Sequence, residues 1–198
     1  MSHHKLPRAF YLGKDVVTIA RDLIGMVLCT RIRGSMTSGI ITETEAYRGV
    51  MDRASHAWNG RRTARNEVMY RDGGFAYIYL CYGIHHLFNV VTDHQGVPHA
   101  VLIRSIHPME GKDRMRIRRG RRTLTTNGPG TLSQALGIRT TLNGTDLLGE
   151  KIWIENRGIA LSRSRIAAGP RIGVDYAGDD ALLPYRFRLT GDLVHSLS

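Results

Sequence analysis

Behind Asp15, the apolar residues Val16, Ile19, Leu23 and Ile24 recur at helical spacing. The pattern predicts a helix over 15–26 that Asp15 N-caps and that ends near Gly25. Beyond it the period shortens. Runs rich in β-branched, aromatic and aliphatic residues at 26–33, 39–47, 75–81, 87–91, 100–107, 152–154 and 185–190 predict strands. Shorter helical patterns at 110–118 and 131–136 lie among them, the first exposing Lys112, Arg114, Arg116, Arg118 and Arg119. Strands and helices in mixed order predict an α+β fold. The 198 residues, free of repeats and low-complexity tracts, predict a single domain over 1–198, with 1–5 a flexible tail.

Residues 48–72 interrupt this pattern. They show little apolar periodicity and carry Asn59, Gly60, Arg61, Arg62, Arg65 and Asn66. An irregular loop longer than about 12–15 residues in a compact domain usually has a function, so an ordered, working loop is expected. A second basic, turn-rich stretch runs over 118–130.

Composition gives that basicity a meaning. Lysine and arginine total 28 against 17 aspartates and glutamates, a net charge of +11. The sequence pI is near 10.3, which favours a polyanionic partner, nucleic acid ahead of an anionic membrane surface. Only Lys5, Lys14, Lys112 and Lys151 are lysines; the remaining cations are arginines, whose planar fork suits phosphates and base edges. Cys29 and Cys81 lie in apolar runs and read as buried free thiols of a reducing compartment. No signal-like segment and no apolar run of about 18 residues is present, so a cytoplasmic location is expected, nuclear for a eukaryotic source, with no membrane association.

Strand alternation over 39–47 puts Ile41, Glu43, Glu45 and Tyr47 on one face and Ile40, Thr42, Thr44 and Ala46 on the other. Two carboxylates beside a ring suit a pocket in which a carboxylate deprotonates water, and equally a solvated edge strand. The run 75–91 is the densest in aromatics and reads as a hairpin. Tyr77 and Tyr79 share a face there, and Tyr82 precedes the turn residue Gly83. Tyr77 reads as a packing residue, whereas Tyr82 projects from the tip, where it can wedge between base pairs. Arg104, in an otherwise apolar strand, needs a carboxylate or a phosphate partner. The adjacent His85 and His86 point to opposite strand faces, and a metal site from His56, His85 and Glu45 matches no ligand spacing, so neither metal nor cofactor is expected.

At these residues the chain resembles the alkyladenine (3-methyladenine, or methylpurine) DNA glycosylases. The matching blocks include Glu43-Thr44-Glu45-Ala46-Tyr47, Ala54-Ser55-His56, Tyr77-Ile78-Tyr79-Leu80-Cys81-Tyr82-Gly83, Asn89-Val90-Val91, Val101-Leu102-Ile103-Arg104, Gly128-Pro129-Gly130 and Arg171-Ile172-Gly173-Val174. They follow one another in the family's order over roughly 6–190.

The resemblance implies a curved antiparallel β-sheet with short packing helices and a protruding β-hairpin. It implies Glu45 as general base and Arg104 as its partner in holding the attacking water. Tyr47 and Tyr79 would stack on the extruded base, His56 would meet its edge, Asn89 would obstruct the 2-amino group of normal guanine, and Tyr82 would intercalate. The implied partner is double-stranded DNA carrying a damaged purine, bound by a monomer. No lysine lies between Lys14 and Lys112 to form a Schiff base, so a monofunctional hydrolase leaving an abasic site is expected. Ala64, where members often carry proline, is a departure, and the N-terminal extension of animal members is expected to be absent. The alternative reading is a non-catalytic nucleic-acid-binding module, which leaves Glu45 without a role because a carboxylate repels phosphate.

Overall fold

The structure, a computed structural model, describes residues 4–13 and 15–191. The expected flexible tail lies in part outside them, at 1–3; within them His4–Lys5 form a strand, β1, antiparallel to the strand of Ile152–Asn156. Two short helices follow, α1 (Arg8–Leu12) and α2 (Val16–Asp22). Asp15 caps α2 as expected, accepting from the Val17 backbone N–H at 3.1 Å. The helix ends at Asp22, earlier than its apolar spacing suggests. Gly25, at φ +88°, turns the chain so that its N–H bonds to Ile41 in the sheet and no longer to the helix.

The sheet contains β2 (Val27–Ile32), β3 (Ser35–Tyr47), β4 (Ala76–Cys81), β5 (His85–Thr92) and β6 (His99–Pro108). After α3 (Lys112–Arg119) and α4 (Pro129–Leu136) come β7 (Ile152–Asn156), β8 (Ile166–Gly169) and β9 (Arg186–Leu189). All strand pairs are antiparallel, in the order β1-β7-β2-β3-β6-β5-β4, with β9 also on β3 and β8 on β9. The long β3 pairs with β2 over its first half and with β9 at Glu43–Glu45, while β6 runs along its other edge. Changing partners along one strand curls the sheet. α2 and α4 cover it over a core built on Tyr11, Ile19, Leu28, Phe88, Ile103 and Leu132. Among the described residues no helix is long and apolar enough to cross a membrane.

β3 does not keep the simple alternation its sequence suggests. Ile41 pairs with Ile106, Glu43 with Ser105 and Thr44 with Ile103, so the register slips at Thr42–Glu43 and again opposite Arg104. The irregularity changes the phase of the side chains. Ile41 joins Thr44 and Ala46 on the core side, where Thr44 donates to the Ala20 carbonyl at 2.7 Å. Glu43, Glu45 and Tyr47 are left on the other side without Ile41, which corrects the expected grouping.

The segment 48–72 is ordered through three single turns of 3-10 helix, Gly49–Met51, Trp58–Gly60 and Glu67–Tyr70. Short polar side chains replace the missing ladder. Asp52 accepts from the backbone of Arg48 and Ala54, and Asn66 donates to the carbonyls of His56 and Arg61. Of the two free cysteines, Cys29 is buried as expected, but Cys81, near the hairpin tip, is only half-buried. Arg118 and Arg119 on α3 are likewise half-buried, not exposed.

Candidate active site

β3, β4, β5 and β6 converge on a cavity of about 800 Å³. Tyr47, His56, Tyr79, Tyr82, Asn89 and Arg104 all line it, together with 128–131 and 172–174. Glu45 lies beneath them, fully buried. A carboxylate out of water needs partners, and the slip in β3 aims it at several. Its Oε1 accepts from the Ile172 backbone N–H at 2.8 Å, and its Oε2 accepts from the Tyr47 hydroxyl at 2.8 Å. Arg104, the residue opposite the slip, brings its Nη1 to 3.2 Å from the same Oε2. The Arg104 Nε lies 3.4 Å from Glu43, which also takes the Arg186 guanidinium. Glu45, Arg104, Glu43 and Arg186 thus alternate in sign.

Burial, and after it the neighbouring Glu45, hold the Tyr47 phenol well above its ordinary range, so it remains a donor. Burial raises Tyr79 as well. The His56 imidazole shares a 2.7 Å hydrogen bond with the Tyr77 hydroxyl and stands edge-on to Tyr79, 4.6 Å between centroids. Burial, assisted by Arg65 and Arg61, lowers it to about 4, and it is neutral at physiological pH. Asn89 is buried, its amide donating to the Tyr77 carbonyl at 3.1 Å, which fixes its orientation at the cavity wall. Tyr77 packs inward, as its strand position suggested.

Tyr82 is 91% exposed at the β4–β5 tip. It and Gly83 both take left-handed backbone, φ +49° and +72°, and with Ile84, whose N–H donates to the Cys81 carbonyl at 3.2 Å, they make the three-residue connection between the paired Cys81 and His85. The residues considered for a metal do not assemble. His56 is engaged with Tyr77, Glu45 with Tyr47 and Ile172, and His85 packs over Gly130; no metal-binding group of three or more His, Cys, Asp or Glu forms among the described residues.

Sequence reasoning gave no role to Asp52, Arg171, Ile172 or Tyr176. Asp52 and Arg171 form a bidentate ion pair, 2.5 and 2.8 Å, with both side chains buried. The Arg171 guanidinium also lies against the Tyr47 ring, 4.9 Å from its centroid, and donates to the Ala46 carbonyl. Tyr176 roofs the cavity with its hydroxyl 3.3 Å from the Ala54 carbonyl. Arg171 and Ile172 stood in a matching block, but nothing in spacing joins Asp52 to a residue so far along the chain.

A buried carboxylate held by donors beneath an aromatic cavity can support general-base chemistry, and the strong basicity of the chain suits a polyanionic substrate. Residues 9–193 match the model of the methylpurine-DNA glycosylase family, and the chain belongs to that family. Among its relatives, one of Chlamydia abortus is 50% identical over 188 residues, covering 93% of this chain and 97% of its own. One of Desulfitobacterium hafniense is 43% identical over 196 residues and one of Bacillus cereus 42% over 197, each alignment covering 93% of this chain and 95% of the relative. All three bear the name "Putative 3-methyladenine DNA glycosylase".

Proposed function

We propose that this chain flips alkylated or deaminated purines, of the 3-methyladenine type, out of duplex DNA and hydrolyses the N-glycosidic bond, leaving an abasic site. The observation that carries the reading is the fully buried Glu45, bonded to Tyr47 and paired with Arg104, both of which line the aromatic cavity above it. Each carboxylate oxygen can accept two hydrogen bonds. Oε1 takes the Ile172 N–H and keeps capacity for a water, which Arg104 can help to orient. Glu45 accepts a proton from that water, the oxygen bonds to C1′, and the C1′–N bond breaks with its electron pair passing to the purine. An alkylated purine is already cationic and departs neutral, so orientation and electrostatic support of the sugar cation are the main demands.

The cavity suits such a base. Tyr47 and Tyr79 offer stacking faces, and a neutral His56 avoids placing a second cation against a cationic purine. The fixed Asn89 amide would meet the 2-amino group of a normal guanine, discriminating by exclusion. Tyr82 would fill the gap left in the stack. Among the described residues no lysine lines the cavity, which supports simple hydrolysis over a Schiff-base route.

Single-turnover release of base from a duplex carrying one alkylated adenine or hypoxanthine tests the proposal, with wild type and Glu45→Gln compared with and without EDTA. Release that persists in EDTA and is lost in the variant is expected. No release from either protein with DNA binding intact would overturn it in favour of the non-catalytic binding module.

A further inference from the structure

Both tyrosines that offer stacking faces carry a guanidinium on their ring. Arg171 lies 4.9 Å from the Tyr47 centroid, and Arg65 lies 5.2 Å from that of Tyr79. The two cations differ in compensation. Arg171 is neutralised by its bidentate pair with Asp52, whereas Arg65 donates to the Leu80 carbonyl at 3.1 Å and has no carboxylate partner among the described residues. Glu67, the acid nearest to it in sequence, is taken by Arg62.

The loop 48–72 holds Arg65 in place. Its neighbour Asn66 is buried and ties this stretch to the His56 and Arg61 carbonyls. Two arginines and no lysine line the aromatic cavity among the described residues. Arg104 is balanced by Glu45 and Glu43, so Arg65 is the guanidinium whose charge is left over. Its field reaches the cavity wall: His56 is lowered first by burial and next by Arg65.

Excision moves the electron pair of the C1′–N bond onto the purine, so the base becomes one unit more negative whichever lesion is bound. A cationic alkylated purine departs neutral, and a neutral deaminated one departs as an anion. A fixed cation beside the base favours that change in both cases, and with a cationic purine it also opposes binding. We propose that Arg65, acting across the Tyr79 ring, promotes departure of the purine and loosens the hold on cationic purines relative to neutral ones. The inference rests on the excision reading above. A unit charge about 9 Å away at an effective dielectric constant of about 20 changes a rate by up to about twenty-fold, and less where water reaches the cation, as it does the exposed Arg65.

Arg65→Gln removes the charge and keeps a donor for Leu80; Arg65→Lys keeps the charge and removes the planar fork. Single-turnover excision over a range of enzyme concentrations, on one duplex carrying 7-methylguanine and on the same duplex carrying hypoxanthine, gives a saturating rate and a half-saturation concentration for each. Unchanged thermal melting checks the fold. Arg65→Gln should slow both saturating rates by about five- to twenty-fold, and should tighten half-saturation on the cationic lesion relative to the neutral one by a similar factor. Arg65→Lys should stay within about three-fold of wild type on every measure. Unchanged saturating rates with half-saturation weakened equally on both lesions, as a phosphate contact alone would give, overturn the proposal. So does Arg65→Lys as slow as Arg65→Gln, which would assign Arg65 to packing on the ring. No release from wild type on either duplex would overturn the excision reading, and this inference with it.

Discussion

The backbone N–H of Ile172 donates to Oε1 of Glu45 at 2.8 Å, joining positions 127 residues apart. Glu45 stands just past the register slip of β3, and Ile172 adjoins Arg171, whose guanidinium is clamped by Asp52. One carboxylate oxygen is thus held by a backbone amide and the other by a phenol and a guanidinium. Every group pointed at the buried side chain is a donor, which offsets the cost of taking it out of water.

That environment makes Glu45→Gln a sharp test. A carboxamide offers one acceptor oxygen and one donor nitrogen; with the oxygen on the Ile172 N–H, the nitrogen can donate to the Tyr47 oxygen but faces the Arg104 guanidinium, which cannot accept. Loss of the base should reduce single-turnover excision by about 10²–10⁴-fold. The unmatched donor should lower stability by about 1–3 kcal/mol in denaturant titration. Excision near the wild-type rate would remove Glu45 from the chemistry.

The strands around this site were legible where period and composition agree, as in β2, β4, β5 and β6, because their apolar runs are bounded by turn residues. β1 and β8 were not: they have two and four residues and exist only because β7 and β9 offer free edges. The grouping of Glu43, Glu45 and Tyr47 survived in the structure, but Ile41 moved to the core because alternation cannot announce an irregularity set by Arg104 across the sheet. Asp52–Arg171 was invisible for a related reason. Its two halves are ordinary charged residues until the fold buries them together.

Removing one half of that buried pair leaves the other charge without compensation. Asp52→Asn should therefore destabilise the protein by about 3–5 kcal/mol. The Arg171 guanidinium also packs on Tyr47 and precedes Ile172, so excision at saturating enzyme and at a temperature where the variant remains folded should slow as well. Calorimetry and single-turnover kinetics measure the two effects. A stable variant with full activity would show that the clamp positions nothing.

His56 provides a pH signature of folding. Its imidazole falls to about 4 in the folded protein, chiefly by burial, against an ordinary value of 6.5. The unfolded chain takes up this proton first as pH falls. Stability present above pH 6.5 should thus be lost progressively toward pH 4, by at most on the order of 3 kcal/mol. Denaturant titrations at pH 7 and 4.5 should show a smaller loss for His56→Gln, whose amide can retain a bond to Tyr77. Equal losses in both proteins would count against a neutral, buried His56.

Tyr82 separates folding from function. Its φ of +49° is costly for any residue with a Cβ, and at 91% exposure its ring contributes little packing. Tyr82→Gly should consequently leave the melting temperature unchanged or raise it, relieving up to about 1–2 kcal/mol of backbone strain. A ring that fills a gap in stacked bases matters only where a stack exists. Both Tyr82→Gly and Tyr82→Ala should therefore weaken binding to a duplex containing a damaged purine more than binding to the same sequence as a single strand. Anisotropy titrations on the two substrates make the comparison. Equal losses would assign Tyr82 to general contact with DNA and leave the plug to another side chain, of which Ile84, 71% exposed beside it, is the nearest candidate.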